Sequence, residues 1–301
     1  MPYINIRGVE HYYEWMTTTP GSEGLSKPVM VFLHGWSGSA RYWESTAKAL
    51  QDTFDCLLYD MRGFGRTTGR HADATQLPKR PLGAGEAESY ELEAYAEDLA
   101  QLLDALQLQQ VYLNAHSTGA SIAVFFLNLY PQRVIQAILT CSGIFEYEEK
   151  SFGQFHQFGG YVIKFRPGWL AKIPWLDRFF MARFLHRPLP AAVSQAFLKD
   201  FLMADQAAAL GTMLTAVSQK AAEVMPQEFA KLSVPTLLVS GEHDIIIPAT
   251  MGEQAAALSE QVEHVVIPNT AHFPMLEDPE TYLDCVHKFL QLSPIPETQA
   301  S

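Results

Sequence analysis

The sequence predicts an α/β protein: a mostly parallel central sheet with helices on both faces and one inserted helical segment. Three observations carry this expectation. Short β-rich runs alternate with helical patterns from residue 29 onward. The later runs are continuous and apolar, as strands covered on both faces of a parallel sheet are. The rhythm stops near Phe145 and resumes near Thr236.

Taken in order, β-rich runs stand at 3–6, 11–15, 29–33 and 56–59. Between Ser89 and Leu108, the residues Leu92, Tyr95, Leu99, Leu102, Leu103 and Leu106 recur at three and four. Glu86, Glu88, Glu91 and Glu93 crowd the start of that run, where a helix N-terminus favours negative charge. An amphipathic surface helix follows from both features. Further strands are expected at 111–114, 134–140, 236–240 and 262–267. The apolar run 122–129 belongs to a core helix ending near Tyr130 and Pro131.

From 145 to 229, Pro167, Pro174, Pro188 and Pro190 punctuate helix-like pieces rich in Phe, Trp and Leu, without convincing strands. This is expected to be a helical cap. The core then comprises 1–144 and 230–293, and the tail 294–301, with Pro294 and Pro296, is expected to fray.

Composition narrows the function. The 301 residues are 48% apolar, ample for a large core. A net charge of −12 repels phosphate backbones, so nucleic acid is not an expected partner. Cys56, Cys141 and Cys285 are few and odd in number, which fits a reducing cytosol. The start lacks the pattern of a signal peptide, and no apolar run reaches the eighteen or so residues a membrane span needs. A cytoplasmic location is therefore expected. No His-Glu-x-x-His or Cys-x-x-Cys occurs, so neither a metal nor a cofactor is expected. Gly63, Gly65 and Gly69 miss the spacing of a dinucleotide loop.

Five segments stand out. In Ala115-His116-Ser117-Thr118-Gly119, a serine between small residues sits where a strand runs directly into an apolar helix. Such a turn strains the backbone, projects the hydroxyl outward and sets it above a helix N-terminus. Gly241-Glu242-His243-Asp244 follows an apolar strand, and Asn269-Thr270-Ala271-His272 follows the last one. His34-Gly35-Trp36 follows the strand at 29–33, and Asp60-Met61-Arg62-Gly63-Phe64-Gly65-Arg66-Thr67 follows the strand at 56–59. Singly, each residue has a plainer fate: a serine or aspartate as a turn cap, a histidine satisfied in a loop. Together and in order, chance coincidence becomes improbable.

These segments resemble the α/β-hydrolase superfamily over residues 29 to 275, with Ala115 where the nucleophile elbow usually has glycine. The resemblance implies Ser117 as nucleophile, His272 as base and Asp244 as supporting acid. It also implies an oxyanion hole made by the backbone amides of Trp36 and Thr118, each worth roughly 3 kcal/mol to the barrier. His34 is read as structural, and the Asp60–Thr67 loop has no catalytic role. A serine at the elbow argues against the aspartate-dependent haloalkane dehalogenase and epoxide hydrolase branches. Cleavage of a carboxylic ester is the leading expectation. Thioesters, carbon–carbon bonds, perhydrolysis and a non-catalytic small-ligand receptor share the scaffold.

The aromatics between Phe145 and Phe184 suggest an apolar acyl or aromatic substrate group, with Trp169, Trp175 and Phe179 as candidate contacts. Most aromatics of such a segment pack it onto the core. Residues 161–190 carry Lys164, Arg166, Lys172, Arg178, Arg183 and Arg187 against Asp177 alone, a net +5 inside a chain of −12. That strip fits peripheral contact with an anionic membrane or an acidic substrate head, or a solvated rim. Oligomeric state is not legible.

Overall fold

The computed structural model describes residues 3–18, 25–67 and 89–292. Gly69, Glu86, Glu88 and the tail 294–301 lie outside the described residues.

Strands β1 (Tyr3–Ile6), β2 (Val9–Met16), β3 (Val29–Leu33), β4 (Asp55–Tyr59), β5 (Val111–His116), β6 (Val134–Thr140), β7 (Thr236–Gly241) and β8 (Val262–Ile267) form one sheet in the order β1-β2-β4-β3-β5-β6-β7-β8. β1 and β2 pair antiparallel with their neighbours, and every later pairing is parallel. The sheet's central strands β3, β4, β5 and β7 are buried on both sides. In β3, Val31 and Leu33 enter one apolar cluster while Met30 and Phe32 enter the other, as the two-residue period of a strand requires.

Helices cover both faces. On one, α2 (Leu92–Ala105) contributes Leu99 and Leu103, and α3 (Thr118–Leu129) contributes Ile122 and Phe126. On the other, α1 (Glu44–Leu50) supplies Ala47, and the final helix (Pro279–Phe289) supplies Tyr282 and Val286. The helix α2 is shorter than its periodicity suggested. It stops because Gln107 turns left-handed at φ 57°, letting the Leu108 amide reach back to the Leu103 carbonyl at 2.8 Å.

Between β6 and β7 the chain is helical: α4 (Glu149–Lys164), α5 (Leu176–Met181), α6 (Ala191–Met203), α7 (Gln206–Ala216) and α8 (Gln219–Ala230). The last two close back on α2 and α3. Gly211 of α7 lies so near Tyr90 that an added Cβ would come within 2.4 Å of its ring. On α8, the Glu228 carbonyl accepts from Asn128 Nδ2 of α3 at 2.8 Å. Three helices follow: α9 (Ala249–Ala256), α10 (Pro274–Glu277) and α11 (Pro279–Phe289).

Candidate active site

β5 delivers Ser117 to the carboxyl edge of the sheet at its centre, with backbone angles φ 54° and ψ −122°. For a residue with a Cβ this is strained backbone, costing about 1–3 kcal/mol. Small neighbours make it feasible. Ala115 is fully buried and pairs with Leu33 in the sheet. A Cβ on Gly119 would come within 2.4 Å of the His34 carbonyl, so α3 can start only where glycine lets it press against the end of β3.

The loops after β7 and β8 bring the other two residues. His272 Nδ1 donates to Asp244 Oδ2 at 2.7 Å. That tautomer leaves Nε2 to accept from the Ser117 hydroxyl at 3.0 Å. The structure thus joins the three expected residues in one hydrogen-bonded line, with His272 and Asp244 buried and Ser117 partly exposed. Asp244 is held as a carboxylate. Burial pushes its acidity down, but the His272 ring and the amides of Ile246 and Ile247, at 2.8 and 3.1 Å from Oδ1, outweigh it and keep its pKa below the usual value.

The His34–Trp36 turn lies against the serine: a Cβ on Gly35 would stand 3.1 Å from Ser117 Cβ. Thr118 is the first residue of α3, so its amide has no intrahelical acceptor. His34 is structural, with Nδ1 donating to the Gly35 carbonyl at 2.8 Å and Nε2 accepting from the Met61 amide at 2.9 Å. The Asp60–Thr67 loop thus braces this turn through Met61, and Asp60, itself held by Arg66 Nε at 2.8 Å, accepts from the Ala40 amide at 2.7 Å just beyond it.

Three residues to which the motifs assign no role tie these loops together. Tyr42 accepts from the Gly35 amide and donates to His116 Nδ1 at 3.0 Å. His116 Nε2 then donates to the His272 carbonyl at 2.7 Å. Burial, reinforced by the nearby His272 ring, drives the His116 pKa well below the usual imidazole value, so this bridge stays neutral. Glu277 accepts from the Ala271 amide at 2.9 Å with one oxygen, and from the His186 and Arg187 amides at 2.6 and 2.7 Å with the other. The His272 amide donates to the Phe184 carbonyl at 2.9 Å.

The aromatic surroundings differ from the candidate contacts. Trp169, Trp175 and Phe179 are exposed at the surface. Nearer the reacting groups runs an arc of rings, His272 to Phe184 at 6.1 Å, Phe184 to Phe180 at 5.9 Å, Phe180 to Phe201 at 4.9 Å and Phe201 to Trp36 at 5.9 Å. Phe201 and the Trp36 side chain carried no sequence signal beyond their hydrophobicity.

Among the described residues, His116, Cys141 and His272 bring possible metal-ligand atoms within 4.8 Å of one another. Both His116 nitrogens are engaged as above, and burial pushes the Cys141 thiol well up, against thiolate formation. This donor set does not suit a metal ion.

A family model described as alpha/beta hydrolase fold matches residues 28–279. Epoxide hydrolase 3 of Mus musculus is 26% identical over 280 residues, covering 88% of this chain and 71% of that protein. Among solved structures, a thermophilic esterase from Thermogutta terrifontis superposes with a TM-score of 0.71 at 22% identity, over 96% of this chain and 98% of the other. A hydrolase from Pseudomonas aeruginosa PA01 gives 0.72 at 20% identity, over 96% and 97%.

Proposed function

The chain belongs to the α/β-hydrolase fold family, and on that premise we propose that it is a serine hydrolase of carboxylic esters with an apolar acyl or aromatic group. The single observation that carries this reading is the Ser117–His272–Asp244 line, at 3.0 and 2.7 Å.

In this reading Ser117 attacks the ester carbonyl while His272 Nε2 takes its proton. The amides of Trp36 and Thr118 stabilise the tetrahedral oxyanion. His272 returns the proton to the leaving alcohol, and water then cleaves the acyl-enzyme by the same steps. Asp244 fixes the tautomer and stabilises the imidazolium. The relative named an epoxide hydrolase is a weak guide to chemistry, because the elbow here holds Ser117. Residues 145–229 act as the cap, and the arc from Phe184 to Trp36 favours an apolar substrate group. The strip 161–190 brings the enzyme to anionic membranes, where such esters partition. It works in the cytoplasm, without cofactor or metal.

A p-nitrophenyl ester series of increasing acyl length tests the proposal. Turnover that peaks at one chain length and disappears in Ser117→Ala supports it. A folded wild type inert to every ester, yet active on a carbon–carbon or thioester substrate, replaces it.

A further inference from the structure

Helix α4 has no Asp, Glu, Lys or Arg from residue 151 to 163. Its inward stripe is accounted for. Ile163 is buried, His156 bonds the Val217 carbonyl, and Gly159 lies so close to α7 that an added Cβ would come within 2.5 Å of Met213 Sδ. The opposite stripe carries Phe155, Phe158, Tyr161 and Val162, and one turn further Phe165, with Phe158 71% and Phe165 70% exposed. A surface helix of a water-soluble domain normally presents charge there.

The chain continues through successive turns into further exposed rings, with Trp175 72% and Phe179 83% exposed. Trp175 adopts φ 63°, a conformation strained for a bulky residue. Its indole nevertheless stands in solvent, so no packing of the ring compensates for the strain.

Within residues 161–190 the exposed charge has one sign. Lys164, Lys172, Arg178 and Arg183 are exposed, while Asp177, the one acid between 161 and 190, is buried. A cleft of about 230 Å³ lined by Lys172, Trp175, Asp177 and Lys199 sets Lys172 of this strip and Lys199 of α6 beside a ring. Glu149 opens α4, about 22 Å from Lys164 and about 9 Å from Phe155 by helical rise, so the acidic end of the helix lies away from the cations.

We propose that the exposed ring stripe of α4 and the 165–183 segment form a docking surface for anionic phospholipid bilayers. The rings enter the headgroup–acyl boundary, and the cations meet lipid phosphates. The opposite charge of the surface, set in an acidic chain, selects an anionic bilayer over a neutral one. The proposal deepens the ester-hydrolase reading and rests on it for the nature of the substrate, but binding itself requires no catalysis.

The test uses the full chain carrying Ser117→Ala, so that no lipid is cleaved, in sedimentation with vesicles at low salt. The vesicles are either pure phosphatidylcholine or equal parts phosphatidylcholine and phosphatidylglycerol. Strong binding to the anionic vesicles and weak binding to the neutral ones is expected. Each cation at such a surface contributes roughly fivefold, so K172Q/R178Q lowers anionic binding by about 25-fold. F158S/F165S lowers binding to both vesicles without changing the melting temperature, because these side chains are already in water. Negligible or equal binding to both vesicles overturns the proposal. So does a concentration-dependent dimer that F158S/F165S dissociates while vesicle binding stays absent, which gives the face to a second copy of the chain. Vesicle binding by Ser117→Ala together with a wild type inert to all esters keeps the surface and removes the ester-hydrolase reading alone.

Discussion

At the scale of single residues, the proposed chemistry depends on two contacts shorter than any packing argument could supply. Asp244 holds the His272 proton on Nδ1, and only that tautomer offers Nε2 to Ser117. Asp244→Asn preserves size but lets the ring reverse its tautomer, so kcat is expected to fall by about 10³–10⁴. Steady-state kinetics with KM nearly unchanged would bear this out. Tyr42→Phe removes the hydroxyl between the Gly35 amide and His116, leaving two buried groups without their partner. It should cost about 1–3 kcal/mol in urea melts and lower kcat more than it raises KM. Ser117, Asp244 and His272 were expected because a strained elbow needs small neighbours and because the family resemblance implies the order nucleophile, acid, histidine. Tyr42 was not. Its partner His116 lies 74 positions away, and nothing in a buried tyrosine announces such a contact.

At the scale of elements, the central strands β3, β4, β5 and β7 were readable because they sit between two apolar layers and show it as runs of buried residues, and the half-buried edge strand β8 was readable from its β-branched residues. β3, β6 and β8 occupy the expected spans 29–33, 134–140 and 262–267. The helix ends were less legible. The stop of α2 depends on a left-handed Gln107, for which glycine or asparagine is the usual signal. Least legible of all was what holds the loop after β8 in place. Its position is fixed by Glu277 of α10, which binds the amide of Ala271 and those of His186 and Arg187 and so ties the histidine loop to the segment after α5. Glu277→Gln presents an amide donor where one pair of these amides must donate. It is expected to destabilise the fold by roughly 2–4 kcal/mol and to lower kcat at least tenfold. Glu277→Asp, which keeps the charge, should recover part of kcat. Equal activity in Gln and Asp variants would remove Glu277 from the positioning of His272.

At the scale of the whole molecule, the helical excursion and the sheet are clamped at Asp200 of α6, which accepts from Ser39 Oγ and from Arg41 Nη1, the latter at 2.7 Å. Burial raises the Asp200 pKa to about 6, although Ser39 and Arg41 pull it down. The folded state therefore holds this proton more tightly than the unfolded chain, whose aspartates titrate near 3.9. Between about pH 4 and 6 this group makes folding less favourable as pH rises, by roughly 3 kcal/mol in total. Asp244, with its pKa lowered, acts in the opposite sense, its contribution being lost as pH falls below about 4. In urea melts, Asp200→Asn should thus gain stability relative to wild type between pH 4 and 7. A constant difference across that range would contradict the assignment. The central claim, that this architecture makes Ser117 a working nucleophile, is tested most directly by a fluorophosphonate probe with mass spectrometric mapping of the adduct. The account predicts a single adduct on Ser117, slowed strongly in His272→Ala and absent in Ser117→Ala. A folded wild type that stays unlabelled, or labelling that persists in Ser117→Ala, would contradict it.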